Sequence, residues 1–208
     1  MIPDFLQKTL IIGILRGIDP DVAVQAAAAA ARGGITALEI TMNSTQPVAQ
    51  IQAVRQLVEG VTVGAGTVLS IEDVRIALDA GAQFIVAPNV DEDVIRYCVE
   101  TGIPVFPGAM TPTEVWKAHR AGATMVKLFP AATLGPSYVW ALRGPLPQID
   151  LLVTGGIDAA NVAAFIQAGA RGAAVGGHLF PTAALQAGNF SVVEAEAAKL
   201  VEASHAHH

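Results

Sequence analysis

The stretch 61-VTVGAGTVLSIEDVRIALDAGAQFIVAP-88 contains the unit that decides the fold. Val61–Thr67 is rich in β-branched and small residues, which predicts a buried strand. Ser70 predicts the N-cap of a helix over Ile71–Ala80, and Gly81 supplies the left-handed residue that ends it. Phe84–Pro88 then forms the next apolar run. A strand–helix–strand unit of this kind is typical of parallel sheets.

The same unit recurs along the chain, with no linker or change of composition between copies. The predicted strands are Ile11–Arg16, Ala37–Met42, Val61–Thr67, Phe84–Pro88, Val105–Ala109, Met125–Phe129, Leu151–Thr154 and Gly172–Gly176. The predicted helices between them are Asp21–Arg32, Val48–Glu59, Ile71–Ala80, Asp91–Glu100, Pro112–Arg120, Ser137–Arg143 and Ala159–Ala168. Strict alternation predicts parallel strands joined by right-handed crossovers.

Eight such units in roughly 200 residues predict an α/β fold, a small (β/α)8 TIM barrel. We expect one domain over residues 1–208, with 1–9 an N-terminal cap segment and 204–208 a disordered tail. An open doubly wound sheet is the alternative. It commonly has a GxGxxG first turn, whereas the first turn here is Arg16-Gly17-Ile18-Asp19-Pro20.

Composition argues against several classes of protein. The chain is 52% hydrophobic and 14% charged, with a mean hydropathy of +0.50, yet no apolar run approaches the roughly 18 residues of a membrane-spanning helix. A net charge of −6 without a Lys/Arg cluster argues against nucleic acid as a partner. The single cysteine, Cys98, fits a cytoplasmic protein. The histidines in 205–208 are interpreted as part of the tail, and we expect no metal and no cofactor.

Lys127 is the only one of four lysines that lies inside an apolar strand. Alternation places it on one face with Met125 and Phe129, and places Val126 and Leu128 on the other. The aliphatic pair suits the helix-facing side, so Lys127 is predicted to point into the barrel. Burial disfavours the charged form of an ammonium group, and a neutral lysine is a nucleophile for carbonyl carbon. An ion-paired lysine, or one that reaches solvent at a strand edge, is the alternative.

Three further polar residues are predicted at the same end of the barrel. Glu39 is the only one of nine glutamates inside a strand, while Arg16 ends the first strand and Thr67 ends the third. Catalytic groups of such barrels lie at the carboxyl ends of the strands. An amine that attacks carbonyls beside an acid–base carboxylate would suit a catalytic site, and a structural ion-pair network is the alternative.

Paired glycines follow the last two predicted strands, in Thr154-Gly155-Gly156-Ile157-Asp158 and in Val175-Gly176-Gly177-His178. Barrels of this type often bind phosphate after strands 7 and 8, where bare glycine backbone lets the anion approach N–H groups closely. We therefore expect a phosphate site at these glycines.

Several motifs occur together in a characteristic order. They are Leu38-Glu39-Ile40-Thr41, Val63-Gly64-Ala65-Gly66-Thr67-Val68-Leu69, Ile85-Val86-Ala87-Pro88-Asn89, Pro107-Gly108-Ala109-Met110-Thr111-Pro112-Thr113-Glu114, Lys127-Leu128-Phe129-Pro130 and Thr154-Gly155-Gly156-Ile157. From Ile11 to about Phe180 the chain resembles the 2-keto-3-deoxy-6-phosphogluconate and 2-keto-3-deoxy-6-phosphogalactonate aldolases, which are class I pyruvate aldolases. The resemblance implies a phosphorylated keto acid as substrate, pyruvate and glyceraldehyde 3-phosphate as products, and a homotrimer.

The resemblance also implies a role for individual residues. Lys127 matches the lysine that forms the Schiff base, and Glu39 matches the general acid/base. The residues that match substrate contacts are Arg16 and Thr67 for the carboxylate, Pro88 and Phe129 for the pocket wall, Thr154 for a substrate hydroxyl, and Gly155, Gly156, Gly176, Gly177 and His178 for the phosphate.

Departures from the family pattern leave the epimer open. Phosphogluconate aldolases often carry an arginine after the second strand, where this chain has Thr41-Met42-Asn43-Ser44, so Arg16 would have to supply the guanidinium. The pattern of Leu15-Arg16-Gly17-Ile18 with Asn43-Ser44 is similar to the phosphogalactonate branch, whereas Thr154 resembles the phosphogluconate branch. His178 stands where serine is common, and it either bonds to phosphate or caps a helix.

Other activities are alternatives to this interpretation. The same site could serve a 4-hydroxy-2-oxoglutarate aldolase or an oxaloacetate decarboxylase. A metal-dependent aldolase, a sugar-phosphate epimerase and a non-catalytic phosphosugar-binding barrel are rivals from other classes.

Overall fold

A computed structural model describes residues 2–205, in which parallel strands alternate with helices around one barrel. The strands are β1 (Ile11–Leu15), β2 (Ala37–Thr41), β3 (Thr62–Gly66), β4 (Ile85–Val86), β5 (Val105–Phe106), β6 (Gly108–Ala109), β7 (Val126–Leu128), β8 (Leu151–Thr154) and β9 (Gly172–Val175). The helices are α1 (Asp4–Gln7), α2 (Pro20–Arg32), α3 (Pro47–Leu57), α4 (Ile71–Asp79), α5 (Glu92–Glu100), α6 (Pro112–Arg120), α7 (Ala131–Leu134), α8 (Pro136–Arg143), α9 (Val162–Gln167), α10 (Thr182–Gln186) and α11 (Phe190–His205).

The strands form one sheet in the order β5–β4–β3–β2–β1–β9–β8–β7–β6. Its two edge strands, β5 and β6, are consecutive in the chain and are separated only by Pro107, which has no N–H to donate. The Lys127 amide donates to the Pro107 carbonyl at 2.8 Å, and the Ala87 amide donates to the Phe106 carbonyl at 3.2 Å. The predicted strand Val105–Ala109 is therefore split, and its two halves together complete a nearly closed barrel. The predicted (β/α)8 fold is confirmed.

Alternation along the strands divides the core into two layers. Most of the core lies between the barrel and its helices. A smaller cluster fills the barrel itself, formed by Leu6, Ile12, Ile14, Ala37, Phe84, Val86, Phe106, Met125, Leu152 and Ala174. Full burial of a Leu, Ile, Phe or Met side chain contributes roughly 1.5–3 kcal/mol. Both layers therefore hold the strands in fixed register.

Helix α1 closes the amino-terminal end of the barrel. Leu6 is fully buried, and the Phe5 ring stacks on that of Phe84 with centroids 5.1 Å apart. The expected cap segment 1–9 thus contains a short helix, with Met1 outside the described residues. Since this end is filled by apolar side chains, the opposite end carries the polar groups.

The carboxyl-terminal helix α11 departs from the sequence prediction. It was not among the predicted helices, and it extends into the segment 204–208 that was expected to be a disordered tail. Ser204 is only 2% exposed, and its hydroxyl donates to the Thr9 carbonyl at 2.9 Å. The expectation of a disordered tail is therefore wrong for residues 204 and 205, and residues 206–208 lie outside the described part of the chain.

The internal helices match their predictions with small shifts at their ends. The Ser70 hydroxyl accepts from the Asp73 amide at 3.1 Å, as expected of an N-cap. The largest shift is at α9, which begins at Val162 because the Asp158 carboxylate accepts from the Ala160 and Asn161 amides and forms a turn first. Between residues 2 and 205, no helix combines the length and the apolar character that crossing a membrane requires.

Candidate active site

Lys127 lies in the middle of β7 and points into the barrel. Val126 and Leu128 belong to the helix-facing core, whereas Met125 belongs to the cluster inside the barrel, which confirms the predicted parity. The side chain is 5% exposed, and its Nζ lies 5.8 Å from the centre of the Phe129 ring. Within residues 2–205 it forms no salt bridge, so the alternative of a directly ion-paired lysine is not observed.

Glu39 lies on β2 and is fully buried. Neither of its carboxylate oxygens has a hydrogen-bond partner among the described residues. Burial raises the pKa of Glu39 above its ordinary value, and the positive charges of Lys127 and Arg16 oppose that rise. A carboxyl group with a raised pKa can carry a proton nearer to neutral pH than an ordinary glutamate can. Glu39 and Lys127 therefore interact electrostatically inside the same barrel.

Gly66 makes room for the Glu39 carboxylate. A Cβ atom added at Gly66 would lie 1.7 Å from Glu39 Oε1 and 2.3 Å from its Cδ, so no larger residue fits without displacing the acid. Gly66 ends β3, in register with Thr41 of β2. The sequence prediction gave Gly66 no role, although a glycine inside a strand often marks a close approach by another group.

Arg16 and Thr67 meet at the carboxyl end of the barrel. Strands β1 and β3 flank β2, and the Arg16 guanidinium donates to the Thr67 hydroxyl at 3.4 Å. Thr67 has a φ of 56°, which is rare for a β-branched residue. Such conformations cost on the order of 1–3 kcal/mol and cluster at functional sites. The structure thus brings together Arg16, Glu39 and Thr67, as the sequence predicted.

A cavity of about 380 Å³ opens at the same end of the barrel. Its wall contains most of the residues predicted to bind substrate: Arg16, Phe129, Thr154, Gly155, Gly156, Gly176, Gly177 and His178. Lys127 and Glu39 are not part of this wall. Pro88 lines a neighbouring cavity of about 700 Å³ instead, and Phe129 lines both cavities. The predicted substrate-binding residues are therefore divided between two spaces that share Phe129, and Thr67 lines neither of them.

The structure requires glycine in the first of the two glycine pairs but not in the second. Gly155 and Gly156 have φ values of 93° and 72°, which favour glycine whatever else is near. Gly177 has no such φ, and a Cβ added there would meet nothing within 4 Å. At Gly176 it would make only ordinary contacts, at 3.8 Å to Ile14. Neither backbone strain nor packing within the described residues therefore requires a glycine at position 177.

Thr154 and His178 add polar groups to this cavity. Thr154 is 4% exposed, and its hydroxyl has no hydrogen-bond partner within the described residues. His178 is exposed. Helix α10 begins at Thr182 with Pro181 as its N-cap and has no side-chain cap, so the suggestion that His178 caps a helix is wrong. In residues 2–205, no three His, Cys, Asp or Glu side chains are grouped as metal ligands would be.

Comparison with known proteins identifies relatives of the whole barrel. The family model "KDPG and KHG aldolase" matches residues 2–196. The 2-dehydro-3-deoxy-6-phosphogalactonate aldolase of Escherichia coli (strain K12) is 41% identical over 175 residues, which cover 83% of this chain and 85% of that protein. The 2-dehydro-3-deoxy-phosphogluconate aldolase of Treponema pallidum (strain Nichols) is 36% identical over 192 residues, or 91% of each chain. The solved "Native KDPGal structure" has a TM-score of 0.86 at 38% identity and covers 93% of each chain.

Proposed function

We propose that this chain, which belongs to the KDPG and KHG aldolase family, is a class I Schiff-base aldolase. It cleaves 2-keto-3-deoxy-6-phospho-sugar acids to pyruvate and glyceraldehyde 3-phosphate. One observation carries the proposal: a nearly buried lysine, Lys127, faces a barrel that also holds Glu39, a buried carboxyl with a raised pKa and no hydrogen-bond partner within residues 2–205.

The proposed chemistry begins at Lys127. Its amine attacks the C2 ketone of the substrate, and loss of water gives an iminium. Glu39 accepts the C4 hydroxyl proton through a water as the C3–C4 bond breaks, and the bond's electron pair moves into the iminium to give an enamine. The aldehyde phosphate leaves. Glu39 then returns the proton to C3, and hydrolysis of the new iminium releases pyruvate and free Lys127.

Residues at the carboxyl end of the barrel would orient the substrate for this chemistry. Arg16 and Thr67, which touch each other, form a donor pair for the substrate carboxylate. Gly177 and His178 line the cavity, which supports a role for the backbone and the imidazole in binding the phosphate. Fixing both ends of the substrate places the C2 carbonyl before bond formation begins. A phosphate site also favours phosphorylated substrates over 4-hydroxy-2-oxoglutarate.

Borohydride trapping tests the Schiff base. The wild-type protein incubated with pyruvate and borohydride should gain the mass of one reduced pyruvate adduct, and Lys127→Ala should gain none. The matched control is Lys117→Ala, which removes an exposed lysine of α6 and should retain the adduct. An adduct of undiminished mass and yield in Lys127→Ala would contradict the assignment.

Thr154 is the proposed determinant of epimer preference. Its hydroxyl is buried and has no hydrogen-bond partner within residues 2–205, and Thr154 lines the cavity, which supports a bond to the C4 hydroxyl of a bound substrate. Cleavage rates on the gluconate and galactonate epimers, measured for wild type and Thr154→Val, should show that the substitution changes the ratio of the two rates. Equal losses on both epimers would exclude Thr154 as the determinant.

The proposed assembly is a homotrimer in the cytoplasm. Exposed apolar side chains near the larger cavity support self-association, since Met110 and Phe129 line it and Trp116 lies on the adjoining helix α6. Trp140 on α8 is 73% exposed. Light scattering should give three times the 21.4 kDa chain mass, and a monomer mass at micromolar concentration would contradict this part of the proposal.

A further inference from the structure

Gln50 is a fully buried polar residue of α3 that no catalytic step uses. Its side-chain amide donates two hydrogen bonds, to the Ile18 carbonyl at 2.7 Å and to the Thr45 carbonyl at 2.6 Å. These two acceptors belong to different loops, since Ile18 follows β1 and Thr45 follows β2. Burying an amide is costly unless its donors are bonded. Gln50 therefore acts as a bridge between two loops.

A second bridge lies beside it. The Gly17 amide donates to the Ser44 hydroxyl oxygen at 2.9 Å, and Ser44 Oγ also lies 2.9 Å from Thr41 Oγ1. Both bridges join the β2–α3 loop to the β1–α2 loop, at two successive residues. Those residues, Gly17 and Ile18, come directly after Arg16. The backbone that follows Arg16 is thus bound at two successive residues, Gly17 and Ile18.

Arg16 depends on such support because its side chain is long and exposed. Its guanidinium must cross above β2 to reach Thr67, which directly follows β3. Gly17 has a φ of 66°, so the chain turns sharply just after Arg16. A small rotation of this turn would move the guanidinium by much more than the backbone itself moves. Small misplacements of a binding group have large effects on catalysis.

We propose that Gln50 is a positioning residue for substrate carboxylate binding. It fixes the carbonyl of Ile18, and through the β1–α2 loop it fixes the Arg16 guanidinium beside Thr67. Gln50 itself does not touch the substrate. This inference rests on the proposed function, because it takes Arg16 as the group that binds the carboxylate of a keto acid.

A double-mutant cycle with pyruvate as the probe tests it. The readout is the pyruvate concentration that gives half of the maximal borohydride-trapped adduct, measured by intact mass. Gln50→Met should raise that concentration by about tenfold. The reason is that a misplaced Arg16 guanidinium loses a hydrogen bond to the charged carboxylate of pyruvate, and the loss of such a bond has about this effect. In an Arg16→Ala background the same substitution should raise it no further, because the positioned group is gone. Gln56→Met, an exposed change on the same helix, is the matched control and should have no effect.

The outcomes separate a positioning role from a structural one. A similar rise in both backgrounds, or no rise in either, would overturn the proposal. Gln50→Met removes the side-chain donor of both the Ile18 and the Thr45 carbonyl, so Ser44→Ala is tested in parallel as a milder change to the second bridge and should give the same background-dependent pattern. Absence of any adduct in the wild-type protein would instead overturn the proposed function, and the two failures are therefore distinguishable.

Discussion

Gly66→Ala is expected to abolish most of the activity while leaving the fold intact. Gly66 does not have a positive φ, so alanine suits its backbone. The added Cβ would lie 1.7 Å from Glu39 Oε1, 2.3 Å from Cδ and 2.5 Å from Cγ, whereas ordinary contacts begin near 3.4 Å. The carboxylate must therefore move by roughly 1.5 Å or more, and a misplacement of about 1 Å can cost 10²-fold in rate. We expect kcat to fall by at least about 100-fold, or about 2.7 kcal/mol.

The assay separates displacement of Glu39 from loss of the site. Steady-state cleavage of the phosphorylated keto acid measures kcat, borohydride trapping with pyruvate measures iminium formation at Lys127, and circular dichroism on heating measures stability. Gly66→Ala should retain a trappable adduct and unfold within several degrees of the wild type. A kcat within threefold of the wild type in a folded variant would refute the role of Glu39, because the carboxylate cannot keep its position beside an alanine Cβ.

Two further predictions follow from the site. Gly177→Ala should raise KM for the phosphorylated substrate by at least tenfold and leave the half-saturating pyruvate concentration unchanged. The reason is that the new methyl group meets no protein atom within 4 Å and can obstruct only a ligand. An unchanged KM would place the phosphate elsewhere. Burial raises the pKa of Glu39 in the folded protein. At pH values between the ordinary pKa and this raised pKa, Glu39 is protonated in the folded protein but has lost its proton in the unfolded chain. Wild-type stability should therefore fall as pH rises through that interval. Glu39→Gln should lack this fall in thermal unfolding scans across pH, and parallel curves for the two proteins would contradict the burial effect.

The inward direction of Lys127 and Glu39 was predictable because it follows from local alternation. Each lies in a short apolar strand whose neighbours have only one suitable face, and β-strand geometry then fixes the direction of the charged side chain. The split at Pro107 follows from equally local chemistry, since proline cannot donate to a sheet. The apolar run Val105–Ala109 by itself nevertheless favours one continuous strand.

Features that depend on contacts between strands could not be predicted in the same way. The approach of Glu39 to Gly66 depends on the register between β2 and β3, which no local pattern contains. Thr67 is β-branched and favours extended backbone, yet the strands around it hold it at a φ of 56°. Gln50 resembles any polar residue of a surface helix until the two loops above it are known. Helix α11 is a different case, because its Ala- and Glu-rich sequence does favour a helix.

The unpaired buried polar atoms support the proposed location of the site. Among the described residues, the buried side-chain atoms without a hydrogen-bond partner are Oε1 and Oε2 of Glu39, Oε1 of Gln50 and Oγ1 of Thr154. Each unmade bond costs about 1–3 kcal/mol or more, and native proteins leave few of them. Those of Glu39 and Thr154 lie on inward-facing strand positions, where a bound substrate or water could supply the missing partners. A ligand that formed hydrogen bonds with these atoms would therefore bind more favourably. An apolar replacement at Thr154 would remove its share of that binding free energy without disturbing the core.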